Sequence, residues 1–189
     1  LALKMSDGPF GSNLKTSHYT ETGVRVIRLQ NIGIGALNDK DQAFVSREHF
    51  ASLPRHCCLP GDVLIATLGD PNLRAMVLPP SVPKALNKAD CVQFRCNPES
   101  VTAEFICWLM NTPSVLDMAA SMVQGITRTR ISMGRLRELH VPVPPIELQR
   151  EFADRADQIR SIQSQQSAAT AKARAAFDAL LAQAFSAPT

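Results

Sequence analysis

The sequence predicts an α+β fold: a mixed α/β domain with a small twisted sheet over residues 1–140, then a long C-terminal helix of coiled-coil type over 146–189. Three observations carry this. Before residue 140, short β-rich runs alternate with turn signals and brief helical patterns; Val141-Pro142-Val143-Pro144-Pro145 then forbids regular helix; and from Ile146 to about Phe185 neither proline nor glycine occurs.

The elements follow in order. Val24-Arg25-Val26-Ile27-Arg28-Leu29 alternates apolar residues with arginine in its first half, the pattern of a half-buried strand, and Asn31, Gly33 and Gly35 turn the chain after it. Ser46 is placed to cap a short helix that ends near Pro54. Pro60-Gly61-Asp62 is a turn feeding Val63-Leu64-Ile65-Ala66, whose unbroken apolar run predicts a strand buried on both faces. Ala75-Met76-Val77-Leu78 and Cys91-Val92-Gln93-Phe94-Arg95 read as further strands. Helices are expected from Ala103 to Met110, with Trp108 in the core, and from Pro113 to Val123. The three prolines of the 141–145 junction push their predecessors into extended conformations, making it a stiff boundary.

After the junction, alanine, glutamine, arginine and glutamate support one helix of roughly 60 Å at 1.5 Å per residue. Phe152, Ile159, Gln166, Ala173 and Leu180 recur every seven residues, with Leu148, Arg155, Ile162, Ala169, Ala176 and Gln183 in the intermediate positions. That is a heptad seam with polar interruptions, whose apolar members are Leu148, Phe152, Ile159, Ile162, Ala169, Ala173, Ala176 and Leu180. So narrow a stripe asks for a second helix beside it, or for packing back along its own domain. A chain cut at Pro145 is expected to stay folded and become monomeric.

Composition bounds the function. At 189 residues, with 45% hydrophobic and 20% charged residues, the chain can hold one well-cored domain plus an appendage, and it is too apolar to be disordered throughout. No run of eighteen apolar residues and no basic-then-apolar leader occurs, so a soluble cytoplasmic protein is expected. Five cysteines without paired spacing suit buried thiols in a reducing compartment. The chain opens at Leu1 rather than methionine, which leaves room for residues upstream. From Glu151 onward four basic and four acidic residues cancel, so the whole net charge of +3 lies earlier. Within that part, 124–137 carries Arg128, Arg130, Arg135 and Arg137 and no acid, a local electrostatic footprint.

Three segments together resemble the specificity subunits of type I restriction-modification systems. Asp7-Gly8-Pro9-Phe10-Gly11-Ser12-Asn13-Leu14-Lys15, continued by Gly23-Val24-Arg25-Val26-Ile27-Arg28-Leu29-Gln30-Asn31-Ile32, is similar to the opening motif of that family's target-recognition domain. Pro60-Gly61-Asp62-Val63-Leu64-Ile65-Ala66 is similar to its core strand, and Val141-Pro142-Val143-Pro144-Pro145-Ile146-Glu147-Leu148-Gln149-Arg150-Glu151-Phe152 to its proline-to-helix junction. The resemblance implies a target-recognition domain over 1–140 that reads one half of a split double-stranded DNA target of about three to five base pairs in the major groove. It further implies a spacer and dimerisation helix over 146–189, and docking of methyltransferase subunits and of a restriction (translocase) subunit. The family carries two recognition domains and two spacer helices where this sequence has one of each. Either a half-length subunit pairs with itself as a homodimer, or the chain is part of a longer one.

Such a subunit is non-catalytic and needs no cofactor, and the motifs of enzymes on DNA are missing from the sequence. Pro144-Pro145 lies between Val143 and Ile146, unlike the Asn/Asp-Pro-Pro-aromatic motif of amino-methyltransferases. None of the six lysines has an acid two residues before it, as nuclease sites that hold metal require. Gly-Lys never occurs, so there is no P-loop. His49, His56 and Cys57 match no zinc spacing, so no metal is expected. The candidates for DNA contact are four groups. Thr127, Arg128, Thr129 and Arg130 offer hydroxyls and arginines able to reach phosphates or fork onto guanine, or else a solvated arginine surface. Asn72 and Arg74 follow the core strand and Ser12, Asn13 and Lys15 stand behind the glycines of the opening motif, either group being otherwise a structural turn; Lys84, Asn87 and Lys88 lie in a proline-bounded loop as phosphate anchors or plain solvated charge. Two other readings remain: a coiled-coil interaction module, and the specificity segment of a fused restriction-methylation enzyme.

Overall fold

The computed structural model describes residues 1–69, 71–122 and 130–185. Its strands are β1 (Ala2–Ser6), β2 (Tyr19–Thr20), β3 (Val24–Ile27), β4 (Phe44–Val45), β5 (Cys57–Cys58), β6 (Val63–Ala66), β7 (Ala75–Val77), β8 (Ala85–Asn87) and β9 (Cys91–Cys96). Its helices are α1 (Arg47–Ala51), α2 (Ala103–Met110), α3 (Pro113–Ser121), α4 (Met133–Arg137) and α5 (Ile146–Phe185).

Two sheets form where one was expected. The first is antiparallel with the order β1-β9-β6-β7; the second has the order β2-β4-β3-β8-β5, with β3 and β8 parallel. β6 shows why its sequence is apolar without alternation. Val63 and Ile65 face a cluster built with Ile106, Met110, Val115 and Leu136 from the helices, while Leu64 and Ala66, with Met76 of β7, face Ile27, Cys58 and Ala85 of the second sheet. The first sheet is thus the middle layer, and residues 63–66 are almost wholly buried. A third cluster, Leu14, Val26, Ala43, Val45 and Leu86, lies on the far face of the second sheet, with Phe50 of α1 packed against it.

Polar groups lock these layers. Asp62, 2% exposed, accepts from Leu59 N (2.7 Å), Gln93 Nε2 (2.6 Å), Arg95 Nε (2.7 Å) and Arg95 Nη2 (2.8 Å), so the Pro-Gly-Asp turn is stitched to β9 by a bidentate ion pair. The Asn111 amide accepts from Ala75 N (3.0 Å) and donates to Ala75 O (2.8 Å), satisfying the outer edge of β7. Ser46 caps α1 by accepting from His49 N at 3.1 Å, as its position predicts.

Two local expectations change. Arg25 is buried rather than turned to solvent, because Asp39 pairs with it at 2.6 Å and the Phe44 ring lies 5.7 Å away. Trp108 is half-buried instead of central, the interior face of α2 being Ile106, Cys107 and Met110.

One compact unit runs from Leu1 to Gln149, taking in the proline junction and the first turn of α5. Gln149 explains the boundary. Fully buried, it accepts from Thr102 N (3.0 Å) and donates to Ser100 O (3.1 Å) and Pro144 O (2.7 Å), so its amide joins the N-cap of α2 to the junction. The second unit is α5 from Arg150 on. Its sequence supports helix locally through Glu151–Arg155 (2.6 Å) and Asp157–Arg160 pairs at (i, i+4) and (i, i+3). Phe152, Ile159, Ile162 and Leu180 are exposed, as are Ala169, Ala173 and Ala176; Leu148, in the first turn, is exposed too. Phe177, Leu181 and Phe185 add to the stripe, which is therefore broader at the C-terminal end than the heptads alone indicate.

Candidate nucleic-acid interface

Four chain segments meet at one end of the first sheet, where β1 stops, β6 stops and β9 begins. Asp7 follows β1; its Oδ1 accepts from Gly8 N (2.8 Å) and from Asp90 N (2.9 Å), tying the opening motif to the turn before β9. Gly8 permits the approach: a Cβ there would lie 2.0 Å from the Lys88 carbonyl carbon and 2.5 Å from Ala89 N. Thr67, just beyond β6, donates from its backbone N (2.9 Å) and Oγ1 (3.2 Å) to Asp90 O, while Thr67 O accepts from Ile131 N (2.9 Å). Arg130 is bridged to Leu68 through the backbone. The opening motif, the post-β6 turn, the pre-β9 turn and residue 130 thus form one constellation although they are scattered over the sequence.

Arg130 is its most prominent side chain. Nε lies 2.6 Å from Asp90 Oδ1, Nη2 lies 3.5 Å from Asp7 Oδ2, and the guanidinium carbon stands 5.0 Å from the Phe10 ring centre. Burial pushes the Asp7 carboxyl above its ordinary range against the Gly8 hydrogen bond, and Asp90 pushes the same way. Lys88 and Lys84 flank opposite ends of β8, with Lys88 beside Gly8. Lys88 Nζ lies 5.6 Å from the Tyr19 ring centre and Lys84 Nζ 5.8 Å from that of Phe50. Lys15, Lys84 and Lys88 join no ion pair among the described residues. Ser12 and Asn13 are exposed on the turn Gly11–Asn13, held by buried Leu14 and by His49 Nε2 at 3.0 Å from Asn13 O.

The other sequence candidates sit differently. Asn87 is fully buried and donates to Ser6 O (3.3 Å) and Cys91 O (2.7 Å), so it cannot reach a base; its place inside β8 removes it from the surface. Arg74 spends its donors on Ile32 O (2.8 Å), Pro71 O (3.0 Å) and Leu29 O (3.0 Å), which makes it a staple of the fold rather than a free contact. Asn72 is half-buried and engaged within the chain. Thr127, Arg128 and Thr129 lie outside the described residues. Sequence reasoning overlooked Asp7, Asp90, Phe10, Tyr19 and Phe50; only Asp7 and Phe10 carried a signal, as members of the opening motif.

The His49 ring packs tilted against His18 with centres 4.0 Å apart, and His56 Nδ1 lies 2.7 Å from Asp7 O, so His49 and His56 serve separate contacts. Among the described residues no group of three or more His, Cys, Asp or Glu is placed to hold a metal, and no helix is long and apolar enough to cross a membrane.

No family model matches the sequence, and no curated protein matches it. Solved structures do. A chain from a structural study of complex assembly and conformational transition of the type I R-M system superposes with a TM-score of 0.60 at 22% identity, over 95% of this chain and 40% of that one. The crystal structure of the HsdS subunit from Thermoanaerobacter tengcongensis gives 0.57 at 16% identity, over 85% of this chain and 42% of that one. This chain therefore spans about two fifths of the length of either structure. A mixed helix-and-sheet unit followed by the long helix α5 is the arrangement that the motifs predict, and the fold of this chain is that of an HsdS subunit over that part of its length.

Proposed function

We propose that the chain is a non-catalytic, sequence-specific DNA-recognition element of a type I restriction-modification assembly, reading one half of a split double-stranded target. The observation that carries this is the convergence of the opening motif, the two turns and exposed Arg130 on one end of the first sheet, within a fold shared with an HsdS subunit. Loops gathered at one end of a rigid sheet are a common place for recognition side chains. Three lysines with no carboxylate partner among the described residues, at 15, 84 and 88, suit phosphate contacts, which fix register without reading sequence. Methyltransferase subunits, and a restriction subunit beyond them, are the partners of this reading, and α5 is its spacer. The exposed apolar stripe of α5 supports pairing with an equivalent helix, from a second copy or from elsewhere in a longer chain.

The test is selection of bound duplexes from a random pool by the full chain with its methyltransferase partner. A split, gapped consensus is expected; enrichment of no sequence would leave only a scaffold. Within the binding reaction, alanine at Lys15, Lys84 and Lys88 together should weaken all duplexes alike and reduce the slope of log affinity against log salt by roughly 0.9 per lysine.

A further inference from the structure

We propose that Arg130 reads a guanine edge and does not anchor a phosphate, with Asp7, Asp90 and Phe10 as the residues that position it; this rests on the DNA-recognition reading above. The mounting is rigid. Arg130 is bridged to Leu68, and its neighbour Ile131 is buried in the core and bonded to Thr67 O at 2.9 Å, so the Cα is held by the sheet. The guanidinium is gripped along one side by Asp90 at 2.6 Å and Asp7 at 3.5 Å and lies against Phe10, yet the side chain is 44% exposed. Nη1 enters no ion pair or hydrogen bond among the described residues, so the outer end of the fork stays open.

Charge separates the two roles. Two carboxylates around one guanidinium leave a local net charge of −1, which repels an approaching phosphate. The O6 and N7 of guanine are neutral acceptors and meet no such penalty, and a planar fork suits their spacing. The Asp7 carboxylate is fixed by Gly8 N and Asp90 N, and the backbone of Asp90 is held by Thr67 through its carbonyl. An arginine ordered before binding loses little rotamer freedom on contact. Lys15, Lys84 and Lys88 differ in charge: none has a carboxylate partner among the described residues.

The experiment repeats the random-pool selection with wild type, Arg130→Lys, Arg130→Ala and Asp90→Asn, and measures salt dependence on the winning duplex. Wild type should enrich a consensus that contains a guanine whose selection falls roughly tenfold to a hundredfold in Arg130→Lys, which keeps the charge and loses the fork, with the salt slope unchanged. Asp90→Asn should lower the same guanine preference while raising affinity for random duplexes and steepening the slope. If Arg130→Lys retains every base preference, or if Arg130→Ala lowers all affinities alike and the slope by about one, Arg130 is a phosphate anchor and the proposal is overturned. Should the Arg130 variants fail to fold, an Asp90→Asn selection identical to wild type overturns it as well. A wild type that selects no sequence defeats the DNA-recognition reading instead, which is a separate outcome.

Discussion

Replacing Gln149 by leucine tests how the compact unit is closed. Leucine roughly preserves volume and removes the amide, leaving Thr102 N without its acceptor and Ser100 O and Pro144 O without their donor. A polar group stranded in the interior costs about 1–3 kcal/mol. All three of these residues are half-buried, so the lower figure applies to each, and the total is about 3 kcal/mol. For a chain of this size about 1 kcal/mol moves Tm by roughly 2–4 °C, so a fall of about 6–12 °C is expected by calorimetry, with a matching drop in the urea midpoint. Gln149→Glu should be no better: it keeps an acceptor for Thr102 but turns a buried carboxylate oxygen toward two carbonyls. A chain ended at Pro145 should show the same loss as the leucine variant, whereas one ended at Asp157 should not. A leucine variant within about 1 kcal/mol of wild type, or a wild-type-like glutamate variant, would refute the reasoning.

Gly8→Ala drives a methyl into the Lys88–Ala89 backbone, which cannot yield as a side chain would, and should cost about 3 kcal/mol in urea unfolding, the upper end for overpacking. Asp7→Asn should stabilise the fold at pH 7. The wild-type carboxyl has a folded pKa raised above its ordinary 3.8, chiefly by burial, so its favourable contribution is complete below that value and is lost as pH rises through the folded pKa. The gap between variant and wild type in urea titrations should therefore shrink as pH falls toward 3.8, and a gap that widens there contradicts the assignment. Ile159→Glu with Ile162→Glu places charges on the exposed stripe of α5; if the helix pairs, sedimentation should show the assembly dissociating while the Tm of the compact unit holds.

Elements with a long signal were legible in the sequence. The 40-residue α5, the Ser46 cap and the doubly buried β6 each follow from composition or spacing within a single window. The second sheet was not, because β2, β4 and β5 are two residues long and β8 three, too short for alternation to register; they exist through pairing with chain distant in sequence. The site divides in the same way. Arg130 and the lysines could be named from residue type, but Asp90 is forty positions from the arginine it grips, and Asn87 and Arg74 look like surface donors until burial and three carbonyls claim them. Keeping a costly buried charge at Asp7, where asparagine could accept the same two hydrogen bonds, is what a stability argument does not explain and the Arg130 contact does.

The register of the first sheet governs the order in which this molecule can be made. Among the described residues β1 pairs only with β9, and Ala2 sits opposite Cys96, so during synthesis β1 waits for partners made some ninety positions later. Until then the edge of β1 and the apolar run of β6 are open to any passing strand, and pairings this distant close slowly. A translation product halted before Cys91 would lack the central ladder that joins β1 to β6, and would be a candidate for aggregation rather than a shorter working reader.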